Sequence, residues 1–392
     1  MAFHLLVGTT KGAFILTSED RAAWSVSGPH CDGWPINHMA GDAEGGTLWA
    51  GGGNDFHGAG VFRSEDGGAT WTLTKLSRGE IDTWLANDPE MRAFFGQAPA
   101  EDAPFGDSLD AIWSLHYSQG TLYAGAKPAT LAKSTDGGTS WTALEALTEH
   151  PTAKDWAPGA AGLTLHTILS DPRAPEKLWV GISAAGVFAS EDGGASWDRR
   201  VRRANTPAAT SGHPAAGSPE EIGLCVHNMV RAPSAAGDVI WQQNHHGTFR
   251  SADGGRSWEE AGAGLPSTFG FPIAVHPADP ETAWVLPLNG DMEGRFPPGA
   301  SAKVWKTSDG GASWSPRQVG LPERDCFFTV LRQAMATDRE ADPGVYFGTN
   351  SGSVFGSRDG GESWEEIARH LPTVLCVEAF SPGPSAAAAP GA

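Results

Sequence analysis

Imidazoles are the groups through which this sequence offers most chemistry at neutral pH. Three of its thirteen histidines stand out by their place in short strand-like runs. They are His38 in Ile36-Asn37-His38-Met39, His166 in Leu165-His166-Thr167-Ile168 and His227 in Val226-His227-Asn228-Met229. His166 and His227 each stand six residues before a proline, Pro172 and Pro233, and so take equivalent places; His38 fits this alignment only with a shift of about one position. His57, in Asn54-Asp55-Phe56-His57, and the pair His245-His246 after Asn244 lie at the ends of strand-like runs. Neutral imidazoles around one axis would suit a divalent metal, with His38, His57, His166, His227, His245 and His246 as candidate ligands, or a general base at His166 or His227. In the competing reading each is a hydrogen-bonded filler between structural units. No motif of fixed ligand spacing supports the metal.

Acids, cations and indoles fill out the candidate set. Asp107, Glu220 and Glu221 stand in long polar segments, where a facing pair would supply the general acid and base of glycoside cleavage. Trp34 and Trp113 offer stacking platforms for a sugar. Lys127, Arg295 and Arg332 can hold a substrate carboxylate, and Asn244 can contact a polar substrate. Against these stand solvated loop carboxylates, core tryptophans and cations that balance local charge.

The element that must position all of these is an octet, Ser64-Glu65-Asp66-Gly67-Gly68-Ala69-Thr70-Trp71, which recurs at residues 134–141, 190–197, 251–258, 307–314 and 357–364. An eroded copy without glycines occupies residues 17–24, and the closing tryptophans fall every 47 to 70 residues. Gly-Gly permits a tight turn at positive φ, the Asp can fold back onto turn amides, and the Trp can pack over the hairpin. The pattern resembles the Asp-box, or BNR, repeat of sialidases, sortilin-type receptors and photosystem II assembly factors. That resemblance implies a β-propeller, but these families share the hairpin while doing unrelated things.

Each full octet follows strand signals such as Leu178-Trp179-Val180-Gly181 and Gly186-Val187-Phe188-Ala189. Four short strands per unit, the octet joining the third to the fourth, make a propeller blade. The chain opens with second- and third-strand patterns and closes with an inner-strand pattern at 373–380. The expected fold is all-β: one seven-bladed propeller over residues 1–380, closed by the C-terminal strand on the N-terminal ones, with a disordered tail at 381–392. Insertions at 72–110, 142–162, 198–222 and 289–302 all fall in connections on one face, opposite the octets. Long loops in compact units tend to be functional, so the site is expected at that mouth, with the histidines converging on it. A partial helical pattern covers residues 81–95.

With 27 basic against 46 acidic residues the net charge is −19, which argues against nucleic-acid or anionic-membrane partners. Four scattered cysteines, no transmembrane-length run and a strand-like rather than signal-like start point to a soluble cytoplasmic monomer with reduced thiols. The aspartates of the octets explain themselves as turn caps. The sialidase set implied by the resemblance is not matched: only Tyr117 is left as a nucleophile, and no arginine triad stands at the strand starts. The leading expectation is a hydrolase or lyase acting on a small polar or glycan-like substrate in a histidine-lined pocket, with or without a metal. The alternative is a scaffold that binds a protein partner on the same face through apolar residues such as Trp84, Phe94 and Phe95.

Overall fold

The computed structural model describes residues 2–96, 98–100, 102–204, 216, 218, 220–232 and 238–383. Within them, seven four-stranded antiparallel sheets follow one another as the blades of a propeller. The ring closes as expected: Val374–Phe380 pairs with Phe3–Thr9, which pairs with Gly12–Ser18 and then Ser25–His30, making blade one. The inner strands of blades two to seven are Ile36–Gly41, Ala111–Ser118, Thr164–Asp171, Val226–Arg231, Gly270–Val275 and Met335–Thr337. The C-terminal strand thus supplies the inner strand of blade one, so neither end of the ring is left as an incomplete blade. No helix among the described residues is long and apolar enough to cross a membrane.

The octet turn is a small hydrogen-bonded frame. Ser64 Oγ donates to Asp66 Oδ1 at 2.8 Å and accepts from the Gly68 amide at 2.9 Å, while Asp66 accepts from the Thr70 amide at 2.9 Å and its hydroxyl at 2.6 Å. Gly67 and Gly68 take φ of +69° and +94°, a region that a side chain would strain. The Trp71 indole then donates to the Gly68 carbonyl at 2.9 Å. In the eroded first copy it is Ser18, not Thr17, that takes the place of Ser64, and Asp20 accepts from the Ala22 and Ala23 amides at 2.8 and 3.0 Å. The cap therefore outlives the glycines, with Arg21 accepting φ +60°.

The turns also join blade to blade. Second-strand Trp49, Trp179 and Trp284 donate to the octet carbonyls of Gly137, Gly254 and Gly360 in the following blade, at 2.8 to 3.0 Å. Trp179 and Trp284 are almost wholly buried, so each indole combines a large apolar contact with a satisfied N–H.

The insertions differ in where they go. Residues 80–95 form two helices, Glu80–Asn87 and Pro89–Phe95. The break falls at Asp88, which caps the second helix through the Glu90 and Met91 amides, with Pro89 at its first position. Buried Asp82 holds the pair to the blade, accepting from Lys75 and from the Gly79 and Ala100 amides. The 142–162 segment carries a short helix, Glu145–Thr148, and a 3-10 turn, Ala153–Asp155. The 289–302 segment carries the 3-10 turn Asp291–Glu293. Most of 205–219, and the tail beyond 383, lie outside the described residues.

Candidate functional site

One residue of each early inner strand is an extra, unpaired residue in the ladder. In blade five Val226 pairs with Asn244 and Asn228 with Gln243, leaving His227 as the bulge; in blade four the same skip isolates His166. The equivalents are Asn37 in blade two and Trp113 in blade three. A bulge re-aims its side chain, and here it aims toward the next blade. Asn37 donates to the Ile112 carbonyl at 2.9 Å, and His227 Nδ1 to the Gly270 carbonyl at 2.6 Å. His38 is thus one position away from the His166/His227 alignment.

The predicted histidines do not share one mouth. His38 and His166, with His116, line the axial cavity, about 360 Å³ in volume, whose other walls (Tyr117, Leu169, Asp338 and Phe380) come from the far ends of the inner strands. This cavity faces the octet side. His38 bridges the Leu115 carbonyl at 3.0 Å and Glu378 at 3.1 Å. His166 is buried, its Nδ1 3.1 Å from the Thr167 hydroxyl. His57 lies in neither cavity lining; its ring stacks on Trp34 at 4.6 Å. Only His227 and His245 reach the loop-bearing mouth, while His246 packs against His245 with ring centroids 4.9 Å apart.

The mouth cavity, also about 360 Å³, is walled by Asp155 and residues 157–161 from the second insertion, Cys225, His227 and His245 from blade five, Phe271 from blade six, Asp291 and Arg295 from the fourth insertion, and Arg332. Its size falls at the small end of the roughly 300–1,000 Å³ typical of small-molecule sites. Asp291 organises one side, binding Arg295 at 2.7 Å and standing 3.4 Å from His245 Nε2. Arg332 organises the other. Its guanidinium sits 4.9 Å from the Phe271 ring centroid, its Nε is buried without an acceptor, and no described carboxylate lies in ion-pair range. Burial, helped by the Arg332 charge, holds His227 well below the usual imidazole range, so it is neutral. Burial also pushes the Cys225 thiol up, which does not suit a free thiolate nucleophile.

Several other predicted residues serve elsewhere. Asp107 is exposed and paired with Arg78 at 2.7 Å, Glu221 stands 3.6 Å from Arg199, and Glu220 is exposed; none lines the cavity, and no facing carboxylate pair assembles from them. Trp34 is 6 % exposed in the core of blade two, and Trp113 occupies a bulge outside both linings. Lys127 stands 3.5 Å from Asp110. Asn244 is fully buried and donates to the Gly223 carbonyl at 2.6 Å, holding the turn that carries His245. Arg295 and Arg332 are the predicted cations that do reach the cavity. Cys225, Asp291 and Phe271 were not singled out from sequence, although pairing Val226 with Asn244 is enough to set Cys225 beside His245.

No family model matches the chain, and no curated protein matches it by sequence. Solved structures do match in shape. The GH74 xyloglucanase from Xanthomonas campestris is 17 % identical with a TM-score of 0.59, over 94 % of this chain and 52 % of that one. A putative 6-phosphogluconolactonase from Bacteroides uniformis is 10 % identical with a TM-score of 0.55, covering 97 % of this chain and 99 % of that one. YCF48 from Cyanidioschyzon merolae is 15 % identical with a TM-score of 0.50, covering 84 % of each. This chain spans about half the length of the GH74 xyloglucanase. At these identities the likeness establishes the seven-bladed propeller fold and nothing finer.

Proposed function

We propose that the loop-bearing mouth is the site of a hydrolase or lyase acting on a small polar or glycan-like molecule that carries an anionic group. The observation behind this reading is Arg332, a guanidinium with no carboxylate partner among the described residues, facing a cavity that also presents two imidazoles. A planar fork of this kind is suited to bidentate capture of a carboxylate or phosphate. Asp291 offsets Arg295 across the cavity, so in a chain of net charge −19 it is the Arg332 guanidinium that offers an anion its partner. His245, with Asp291 beside Nε2, is placed to take a proton from water in hydrolysis, or from the substrate carbon in elimination. His227, neutral and fixed through Nδ1, presents its other nitrogen. Shape neighbours named as a xyloglucanase and a putative 6-phosphogluconolactonase are in keeping with sugar chemistry on such a propeller.

The test is a turnover screen of sugar acids, lactones and short acidic glycans, with Arg332→Met and His245→Gln alongside the wild type. Conversion that falls in both variants supports the proposal; conversion indifferent to both places the chemistry elsewhere. A scaffold reading has its own observation: Trp84, Phe94 and Phe95 are exposed on the helices of the first insertion, Phe94 at 80 %. It predicts peptide binding that is lost in Phe94→Ser and unchanged in Arg332→Met.

A further inference from the structure

We infer that Cys225, His227 and His245 form a site for a divalent transition metal of the zinc type on the wall of the mouth cavity. One ligand atom from each of the three lies within 4.8 Å of the others. Ligands around tetrahedral zinc stand roughly 3.3–3.6 Å apart, from Zn–N of about 2.0–2.1 Å and Zn–S of about 2.3 Å. Closing that gap takes about 1 Å of side-chain adjustment, and His245, on a strand-joining turn and partly exposed, can supply it.

The backbone brings the three together. Val226 pairs with Asn244, and the His245 amide donates to the Cys225 carbonyl at 3.0 Å, so one hairpin of blade five carries all three ligands. The bulge at His227 fixes the third direction. Each candidate ligand also has a partner of the kind that orients metal ligands. The Gly270 carbonyl holds His227 Nδ1 at 2.6 Å and leaves Nε2 for a ligand. Asp291 stands 3.4 Å from His245 Nε2, which assigns Nδ1 to a ligand. The Ser183 hydroxyl lies 3.1 Å from Cys225 Sγ. Carboxylates and carbonyls behind ligating histidines are the usual outer shell of zinc sites.

The donor set chooses among metals. A thiolate with two imidazoles excludes magnesium and calcium, which require oxygen ligands, and favours zinc or its neighbours. Three protein ligands leave a fourth position open, the pattern of catalytic rather than structural zinc. That position shares the cavity with Arg332, so an anionic substrate could reach both. With an ion bound, His245 becomes a ligand, and an ion-bound water takes over its role as base. The inference rests on the same cavity as the proposed function, but its test reads metal rather than substrate.

The experiment uses the full-length untagged protein, stripped with a chelator and titrated with zinc and, separately, cobalt(II). The expected result is one equivalent bound, with cobalt giving a thiolate-to-metal charge-transfer band in the near ultraviolet. Cys225→Ser should abolish that band, and His245→Ala should weaken zinc binding at least tenfold, while His57→Ala retains one equivalent. Circular dichroism confirms folding, and if Cys225→Ser fails to fold, His245→Ala decides alone. No zinc retained by wild type, or full zinc retained by His245→Ala, overturns the site. Stripped protein that is still stabilised by a small carboxylate through Arg332 would leave the substrate proposal standing without the metal.

Discussion

Replacing Arg332 by Met separates a site residue from a structural one, because its effects on binding and on folding should run in opposite directions. Among the described residues the guanidinium has no carboxylate partner, and its Nε is sealed from water. An unpaired ion held this way forgoes several kcal/mol of hydration in a fully closed site; here the fork borders an open cavity, and the penalty falls to about 1–2 kcal/mol. Its compensation is the contact with Phe271 at 4.9 Å, worth about 1 kcal/mol. Methionine keeps the stem and replaces the cation–ring contact with a sulfur–ring contact of about 0.3–1.5 kcal/mol. The balance predicts that Arg332→Met is as stable as the wild type or about 1 kcal/mol more so, seen as an unchanged or raised urea midpoint at constant slope. Residues kept for function against stability behave in this way. A loss of more than about 2 kcal/mol, the range of a disrupted buried network, would refute the reasoning and make Arg332 part of the frame.

Other outcomes follow from the frame and from burial. Asp82→Ala removes a buried carboxylate that holds Lys75 and two amides; it should cost about 3 kcal/mol in urea unfolding and speed proteolysis between residues 80 and 100. Ser134→Ala deletes the hydroxyl that bonds Asp136 at 2.7 Å and the Gly138 amide at 2.8 Å, and should lower unfolding free energy by about 1–2 kcal/mol. Burial holds His116 down near 4 and His166 near 3. Because the unfolded chain protonates near pH 6.5, stability should be full above that pH and fall as pH drops toward 4 and then 3. His166→Gln should flatten this slope; an unchanged pH profile would mean that the imidazole titrates normally in the fold.

The propeller was legible because its signal is repeated. Six octets carry the same turn chemistry, and the outlying strand patterns at the two ends close the ring. The eroded first copy was legible as a turn but misaligned by one residue, since Ser18 rather than Thr17 bonds Asp20. The candidate site was harder to read. A β-bulge adds a residue without any mark in the sequence, so the one-position offset of His38 from His166 was visible but not its cause, which is that Asn37 holds the bulge in blade two. Histidines that share a strand position then divide between the two ends of the axis, His166 to one cavity and His227 to the other. The carboxylates of the 72–110 insertion looked available, but Lys75 and Asp82 hold that segment to blade two, away from the cavity lining. What reached the mouth instead was Asp291, from the shorter fourth insertion, and nothing in its local sequence distinguishes it from other loop acids.

Capture of a small anionic ligand by Arg332 at the mouth is the proposal on which the rest depends. Calorimetric titration with a panel of sugar acids and small carboxylates, wild type against Arg332→Met, tests it most directly. Two charge-assisted hydrogen bonds contribute about 3 kcal/mol together, which is about a hundredfold in Kd. A ligand bound by the wild type should lose at least that much affinity in the variant while folding is retained. Equal affinity in both proteins, or binding of peptides alone, would contradict it.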